Sequence, residues 1–374
     1  MIHWLFWIAF VFLLYAYGVY PLLLLLLARG KKIPYKSYTR HDELPLVHII
    51  IPAHNEEKVI GEKLKSIFRS AYPEEKLQIY TGLDNCSDST KEIVLGFGKS
   101  NIQVVEFAER KGKPGIINSI VENITDGNSI LILTDADIIF EEQAIFELAR
   151  YFKDERISLV DSNVQVLQTQ NPEEKQYLDF ETRLRISESL VFGNIAGPSG
   201  GCYAIRRKNF KPVPVNFLVD DFYIGMEVVL QNQHTILNEA AVCTEEKNTS
   251  WADEYKRKAR IATGCFQNLW HYKKLFLQPF SAACFIFVSH KVLRWKTPFL
   301  LLIVYGILVF WFPFFILIIT FFLPFFTVVF GTLGWKIKPL YAILYFVTMN
   351  MAVLTGFFNF IKGVPHNVWQ PTTR

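Results

Sequence analysis

Charged residues along this chain fall in blocks. Residues 2–28 contain no Asp, Glu, Lys or Arg, and the run stops at Arg29-Gly30-Lys31-Lys32. A second charge-free block covers 297–335 and a third covers 339–361. About 20 apolar residues cross the bilayer core as a helix, so the first block suffices for an anchor, 1–28. It starts Met-Ile-His-Trp and offers neither the basic start nor the cleavage site of a signal peptide, which favours a retained anchor. The thirty-nine residues of 297–335 exceed one crossing, and Pro313 and Pro324 offer breaks for a hairpin. Lys291, Arg294 and Lys296 precede that block, and Lys336 and Lys338 follow it, so both ends read as cytoplasmic. The third block, within a final segment 336–374, has Lys338 and Lys362 on its flanks, and charge does not orient it.

Between the apolar blocks the pattern changes to short runs. Residues 46–52 read as a buried strand stopped by Pro52, and Val59, Ile60, Leu64 and Ile67 have the spacing of a helix over 56–70. Strands are expected at 77–83, 102–107 and 129–134, with helices starting near 90 and over 113–125. Asp88 or Ser89 is placed to cap the helix at 90. This βαβαβαβ order predicts an α/β fold: an open, largely parallel sheet with helices on both faces. A long helix at 172–192, a glycine-rich turn at 197–201 and a helix starting near Asp220 follow. The expected soluble domain is 29–272, followed by an interfacial helix over 273–296 that is rich in Phe and carries Lys291 and Arg294.

Composition agrees with two solvents. Of 374 residues, 51% are hydrophobic and 20% charged, which excludes disorder and a chain made of membrane helix alone. A net charge of +4 suits anionic lipid and gives no case for nucleic acid. The five Cys are scattered without a C-x-x-C pair, as expected of reduced cysteines in a cytosolic domain. The sequons at Asn123 and Asn248 fall in that domain and are discounted for glycosylation.

In open α/β sheets ligands bind at the carboxyl ends of strands. Three such ends are polar here: Ala53-His54-Asn55-Glu56, Asp84 to Thr90, and Asp135-Ala136-Asp137. Carboxylates at i and i+2 of extended backbone share a side and repel unless a cation intervenes. After a buried strand, Asp135 and Asp137 therefore read as ligands for Mg²⁺ or Mn²⁺. The alternative for this pair is a helix cap with a spare surface acid. Lys113, near a helix start, suits phosphate, although a solvated basic loop is the simpler account. Asp220-Asp221 at a helix start is either a cap or a general base. Arg257 and Arg260 suit a diphosphate or lipid headgroups.

Taken in order, these segments resemble membrane-bound glycosyltransferase family 2, the relatives of cellulose, hyaluronan and poly-N-acetylglucosamine synthases. The resemblance implies a GT-A type nucleotide-sugar-binding domain, a Rossmann-like mixed sheet, with transmembrane helices at both ends. Pro52-Ala-His-Asn55-Glu56 is similar to the first nucleotide loop, and Asp84 to the acid that meets uracil. Lys111-Gly112-Lys113 is similar to the segment near the diphosphate, and Asp135-Ala-Asp137 to the metal-binding D-x-D. Ser199-Gly200-Gly201 resembles the acceptor-side motif. Asp220-Asp221 stands where the family has E-D, which maps the base to Asp221. The family's Q-x-x-R-W is Arg257-Lys258-Ala259-Arg260-Ile261 here, without the aromatic platform of processive enzymes. Trp369 opens a tail similar to W-x-x-T-R, which implies a re-entrant or interfacial third block.

The resulting expectation is an inverting, metal-dependent enzyme in the inner membrane, multi-pass, with a cytoplasmic catalytic domain. It takes a sugar from a nucleotide donor, most simply UDP-linked, to a lipid-linked or polysaccharide acceptor, among membrane lipids and partners of a polysaccharide-assembly complex. A processive synthase that exports its polymer and an inactive scaffold of such a complex are the alternatives.

Overall fold

The computed structural model describes residues 2–169, 172–247, 250–332 and 338–364. Helix α1 (Ile2–Ala28) comes first, with a π-helical turn at Tyr15–Val19. The alternation then runs β1 (Val47–Ala53), α2 (Ile60–Phe68), β2 (Leu77–Asp84), α3 (Thr90–Leu95), β3 (Ile102–Phe107), α4 (Gly112–Glu122) and β4 (Ile130–Thr134). Next come β5 (Ile139–Phe140), α5 (Ala144–Ala149), β6 (Ile157–Thr169), α6 (Pro172–Phe192), β7 (Cys202–Arg206), α7 (Asp220–Leu230) and β8 (His234–Lys247). The last helices are α8 (Trp251–His271), α9 (Ala282–Trp295), α10 (Thr297–Trp311), α11 (Pro313–Thr332) and α12 (Lys338–Lys362).

These elements form two compact units. One takes the described residues within 27–170 and 178–248, and holds a single sheet of order β3-β2-β1-β4-β7-β6-β8-β5. The first four strands are parallel neighbours, as the sequence pattern predicts. Strand β7 then runs antiparallel to both β4 and β6, so the sheet is mixed. All seven residues of β1 and all five of β4 are buried, as continuous apolar runs should be when both sheet faces are covered. Ile60, Leu64 and Ile67 of α2 join the core with Val47, Ile49 and Ile51.

The other unit takes the described residues within 1–26, 171–177 and 249–363. Two of its helices, Ile2–Ala28 and Pro339–Lys362, are long and apolar enough to cross a membrane. The second is one unbroken helix, long enough for a crossing; the family resemblance implies a re-entrant or interfacial segment there. Helices α9 and α10 form a pair bent by 53° that together passes the same test. The expected break at Pro313 occurs, but α11 continues through Pro324. The expected interfacial helix over 273–296 is interrupted: a 3₁₀ turn ends at Leu277, Pro279 follows, and Ser281 Oγ caps α9 by accepting from Cys284 N at 3.2 Å. The helix α8, which the pattern assigns to the soluble domain, packs in this unit against α12. The two come close at Gly356, where a Cβ would stand 2.5 Å from Ala262 Cβ and 2.6 Å from Ala259 O.

A similar contact fixes α4 on the sheet. A Cβ at Gly82 of β2 would lie 2.2 Å from Ile116 Cγ2 of α4. Gly82→Ala should therefore destabilise the protein by about 1–3 kcal/mol, through overpacking. A thermal unfolding midpoint equal to wild type would contradict this packing.

Candidate active site

The carboxyl ends of β1, β2 and β4 lie side by side because these strands are parallel neighbours. Loops leaving the first two ends brace one another. Asn55, in the left-handed region with φ 55°, accepts from Ser87 N at 2.9 Å and donates through Nδ2 to Ser87 Oγ at 3.2 Å. Glu56 N donates to Thr90 Oγ1 at 2.8 Å, and Glu57 N to Asp88 Oδ2 at 3.1 Å. Asp88, not Ser89, serves the start of α3, accepting from Thr90 N at 3.1 Å. Pro52 is buried within β1 opposite Gly82.

Asp84 is fully buried at the end of β2. Its Oδ1 accepts from Lys111 N at 2.6 Å, and its Oδ2 from Arg110 Nε at 3.0 Å and Gly112 N at 3.2 Å. His54 completes the group: Nδ1 meets Asp84 O at 2.7 Å and Nε2 meets Arg110 Nη1 at 2.7 Å. Guanidinium can only donate, so Nε2 accepts and Nδ1 carries the proton. Asp84 thus holds the loop that opens α4 by ionic and backbone hydrogen bonds together.

That loop delivers Lys113. Its Nζ donates to Asp135 Oδ1 at 2.7 Å and Gly200 O at 3.3 Å, and lies 4.0 Å from Asp220 Oδ2. Burial opposes the ammonium charge, but Asp135 and Asp220 outweigh it and hold Lys113 above the ordinary lysine range. Asp135 extends the β4–β7 pairing through its N–H to Gly201 O at 2.9 Å. The expectation of extended backbone across Asp135-Ala136-Asp137 fails beyond that point, since the chain turns at Ala136 and Asp137 before β5. The two acids therefore share a turn, and Asp137 is half-buried.

The turn Ser199-Gly200-Gly201 is held through Asp161. Ser199 donates to Asp161 Oδ1 through both N and Oγ, at 3.0 Å each, while Asp161 is paired with Arg185. Gly200 has φ +86°, and a Cβ there would stand 2.3 Å from Asp221 Oδ2. Only glycine allows this approach between loop and carboxylate. Asp221 opens α7, with Oδ1 accepting from Phe222 N at 2.7 Å. Asp220 is buried, and among the described residues its Oδ2 has no hydrogen-bond partner.

The fold therefore brings together Asn55, Glu56 and Asp84 at two strand ends, and Lys113, Asp135, Gly200, Asp220 and Asp221 around one ammonium or one glycine. Arg257 and Arg260 belong to the other unit. Arg257 is committed there to two buried acids, Glu174 at 2.5 Å and Glu254 at 2.8 Å, and Arg260 is exposed. Trp369 and Asn248 lie outside the described residues.

Two residues escaped the sequence reading. Tyr203 of β7 is buried, its hydroxyl has no hydrogen-bond partner among the described residues, and burial, then Asp220, Asp221 and Asp135, hold it well above the ordinary tyrosine range. Lys63 lies on the apolar face of α2, fully buried, with Nζ donating to Thr134 Oγ1 at 2.7 Å and Ile138 O at 2.5 Å. It ties down both ends of the Asp135–Asp137 turn. Its one signal was a lysine at i−1 to Leu64 on a buried stripe.

Among the described residues no three His, Cys, Asp or Glu side chains gather as a metal site. Two adjacent carboxylates still fit Mg²⁺ or Mn²⁺, because such ions commonly take one or two protein carboxylates and complete their shell with phosphate and water.

Known proteins resemble this chain in parts. Residues 48–213 match the family Glycosyl transferase family 2, a span that ends before Asp220 and Asp221. Probable glycosyltransferase YdaM of Bacillus subtilis is 27% identical over 236 residues, 59% of this chain, which spans 56% of that protein's length. UDP-Glc:alpha-D-GlcNAc-diphosphoundecaprenol beta-1,3-glucosyltransferase WfgD of Escherichia coli is 23% identical over 203 residues, covering 54% of this chain and 76% of that one. Mannosyltransferase PcManGT from Pyrobaculum calidifontis, solved in complex with GDP-Man and Mn²⁺, superposes with a TM-score of 0.72 at 20% identity, over 96% of this chain and 99% of that one. That likeness shows the GT-A fold.

Burial lowers the Lys63 amine from 10.5 to about 8. Between those values the unfolded chain binds the proton that the folded chain has lost, so the Lys63 contribution to stability rises with pH. The gain reaches up to about 3 kcal/mol and should be missing in Lys63→Met. Denaturant midpoints at pH 8 and pH 10.5 compare the two proteins, and parallel profiles would contradict a buried, charged Lys63.

Proposed function

We propose that this chain, whose residues 48–213 carry a Glycosyl transferase family 2 domain, transfers a sugar from a nucleoside diphosphate donor to a membrane-associated acceptor with inversion at the anomeric carbon. One arrangement carries the reading: a partly buried ammonium, Lys113, between Asp135 and Asp220, next to a carboxylate, Asp221, whose close approach to Gly200 leaves no room there for a side chain.

The chemistry follows from charge. When the donor bond breaks, the diphosphate leaves with the electron pair and gains negative charge, which preorganised cations stabilise. Lys113 contributes one such charge. Asp135 and Asp137 are the residues to hold Mg²⁺ or Mn²⁺, which supplies further positive charge to the leaving group. Asn55, Glu56 and the loop held by Asp84 form the nucleoside end. Asp221 takes the proton of the acceptor hydroxyl, whose oxygen forms the new bond to the anomeric carbon from the face opposite the diphosphate.

UDP is the first donor to test, since the name of the Escherichia coli relative carries UDP-Glc. GDP follows, because the Pyrobaculum protein was solved with GDP-Man. Two helices of spanning length support an acceptor at the bilayer, and the diphosphoundecaprenol acceptor in the relative's name supports a lipid-linked one. Ile261 in place of an aromatic platform favours single additions over processive synthesis.

Asp221→Asn should lower transfer by about 10²- to 10⁴-fold while donor affinity holds. Turnover near wild type would remove Asp221 as the base. In Asp137→Ala, the Mn²⁺-dependent part of nucleoside diphosphate binding should collapse in calorimetry, and unchanged affinity would exclude that ligand. Product sizing after incubation with a lipid acceptor separates one added sugar from a polymer ladder.

A further inference from the structure

Lys113 and a divalent cation compete for the same oxygen. The ammonium holds Asp135 Oδ1 at 2.7 Å, with Gly200 O as its other close partner at 3.3 Å. A cation ligated by Asp135 repels an ammonium at contact distance, and a single neutral carbonyl is a poor counter-charge for a partly buried lysine. One more acceptor stands within reach. Asp220 Oδ2 is buried, has no hydrogen-bond partner among the described residues, and lies 4.0 Å from Lys113 Nζ. A buried carboxylate oxygen left unsatisfied carries a desolvation cost that pairing removes. The start of α7 fixes Asp220 in place, so the shift falls to the flexible lysine side chain.

We propose that Lys113 passes from Asp135 to Asp220 when a divalent cation binds, so that Asp220 is a positioning residue acting through Lys113 and Asp221 alone is the base. The inference rests on the metal assignment of the proposed function and deepens it. It divides an adjacent acid pair into two tasks. It also makes metal affinity depend on a residue that is not a ligand.

A double-mutant cycle on the full-length protein in detergent tests it, with Mn²⁺ binding read from the electron paramagnetic resonance of free Mn²⁺, with and without UDP. Lys113→Met removes the competitor and should tighten Mn²⁺ binding about tenfold without nucleotide; Lys113→Gln serves as a second competitor-free variant. Asp220→Asn, of the same shape and at an oxygen without a partner, should weaken it about tenfold. Added to Lys113→Met, Asp220→Asn should have no further effect. If Asp220→Asn weakens binding equally in both backgrounds, or in neither, the handover is wrong while the glycosyltransferase reading stands. Absence of Mn²⁺ binding by the wild type, even with UDP, overturns the metal assignment and the handover with it.

Discussion

A carboxylate sealed from solvent organises the carboxyl edge of this sheet. Asp84 ends a buried strand and spends both oxygens on Arg110 and on the amides of Lys111 and Gly112. An acid in that position needs such partners, because a buried charge without them is costly. Its demand fixes where the loop turns and where α4 begins. Lys113, one residue further, is thereby aimed at Asp135, and the remaining contacts of the site follow from that aim. Gly82, which lets α4 sit against β2, is the steric half of the same constraint.

Charge balance explains the rest of the arrangement. Asp135, Asp161, Asp220 and Asp221 all act electrostatically on Tyr203, with Lys113 and Arg185 as buried or partly buried counter-ions to three of them. Lys63 works from beneath, holding the turn through a side-chain oxygen and a carbonyl. The acids differ in burial and in their surroundings, and that gives neighbouring carboxylates different chemistry. The pair Asp220 and Asp221 shows this most directly. One faces a lysine, the other a glycine.

The apolar unit uses another device. Helices α8 and α12 approach closely at Gly356, and the π-helical turn of α1 meets α9 through Tyr15 and Ser289 at 2.9 Å. Small residues and hydroxyl pairs are suited to helices that gain little from burying apolar surface in lipid. Arg257, with Glu174 and Glu254, is part of this framework, which answers why a cation beside Ile261 is held so firmly.

What could be read in advance was whatever is written locally. Charge-free runs located α1 and α12, period and turn residues located the parallel strands, and strand ends located Asp84, Asp135 and Asp137. Features that depend on non-local partners were out of reach. No spacing rule reveals that Asp84 is consumed by the loop after β3, or that Lys63 on an apolar stripe reaches Ile138 O. The same holds for Asp161, which pairs with Arg185 and fixes Ser199. Sequence alone determined the apolar blocks, the alternation of strand and helix, and the acids at the strand ends, because hydrophobic period and chain order are local properties. Tertiary structure decided which acid faces a lysine and which faces a glycine, because those assignments depend on distances between segments that the chain order leaves open.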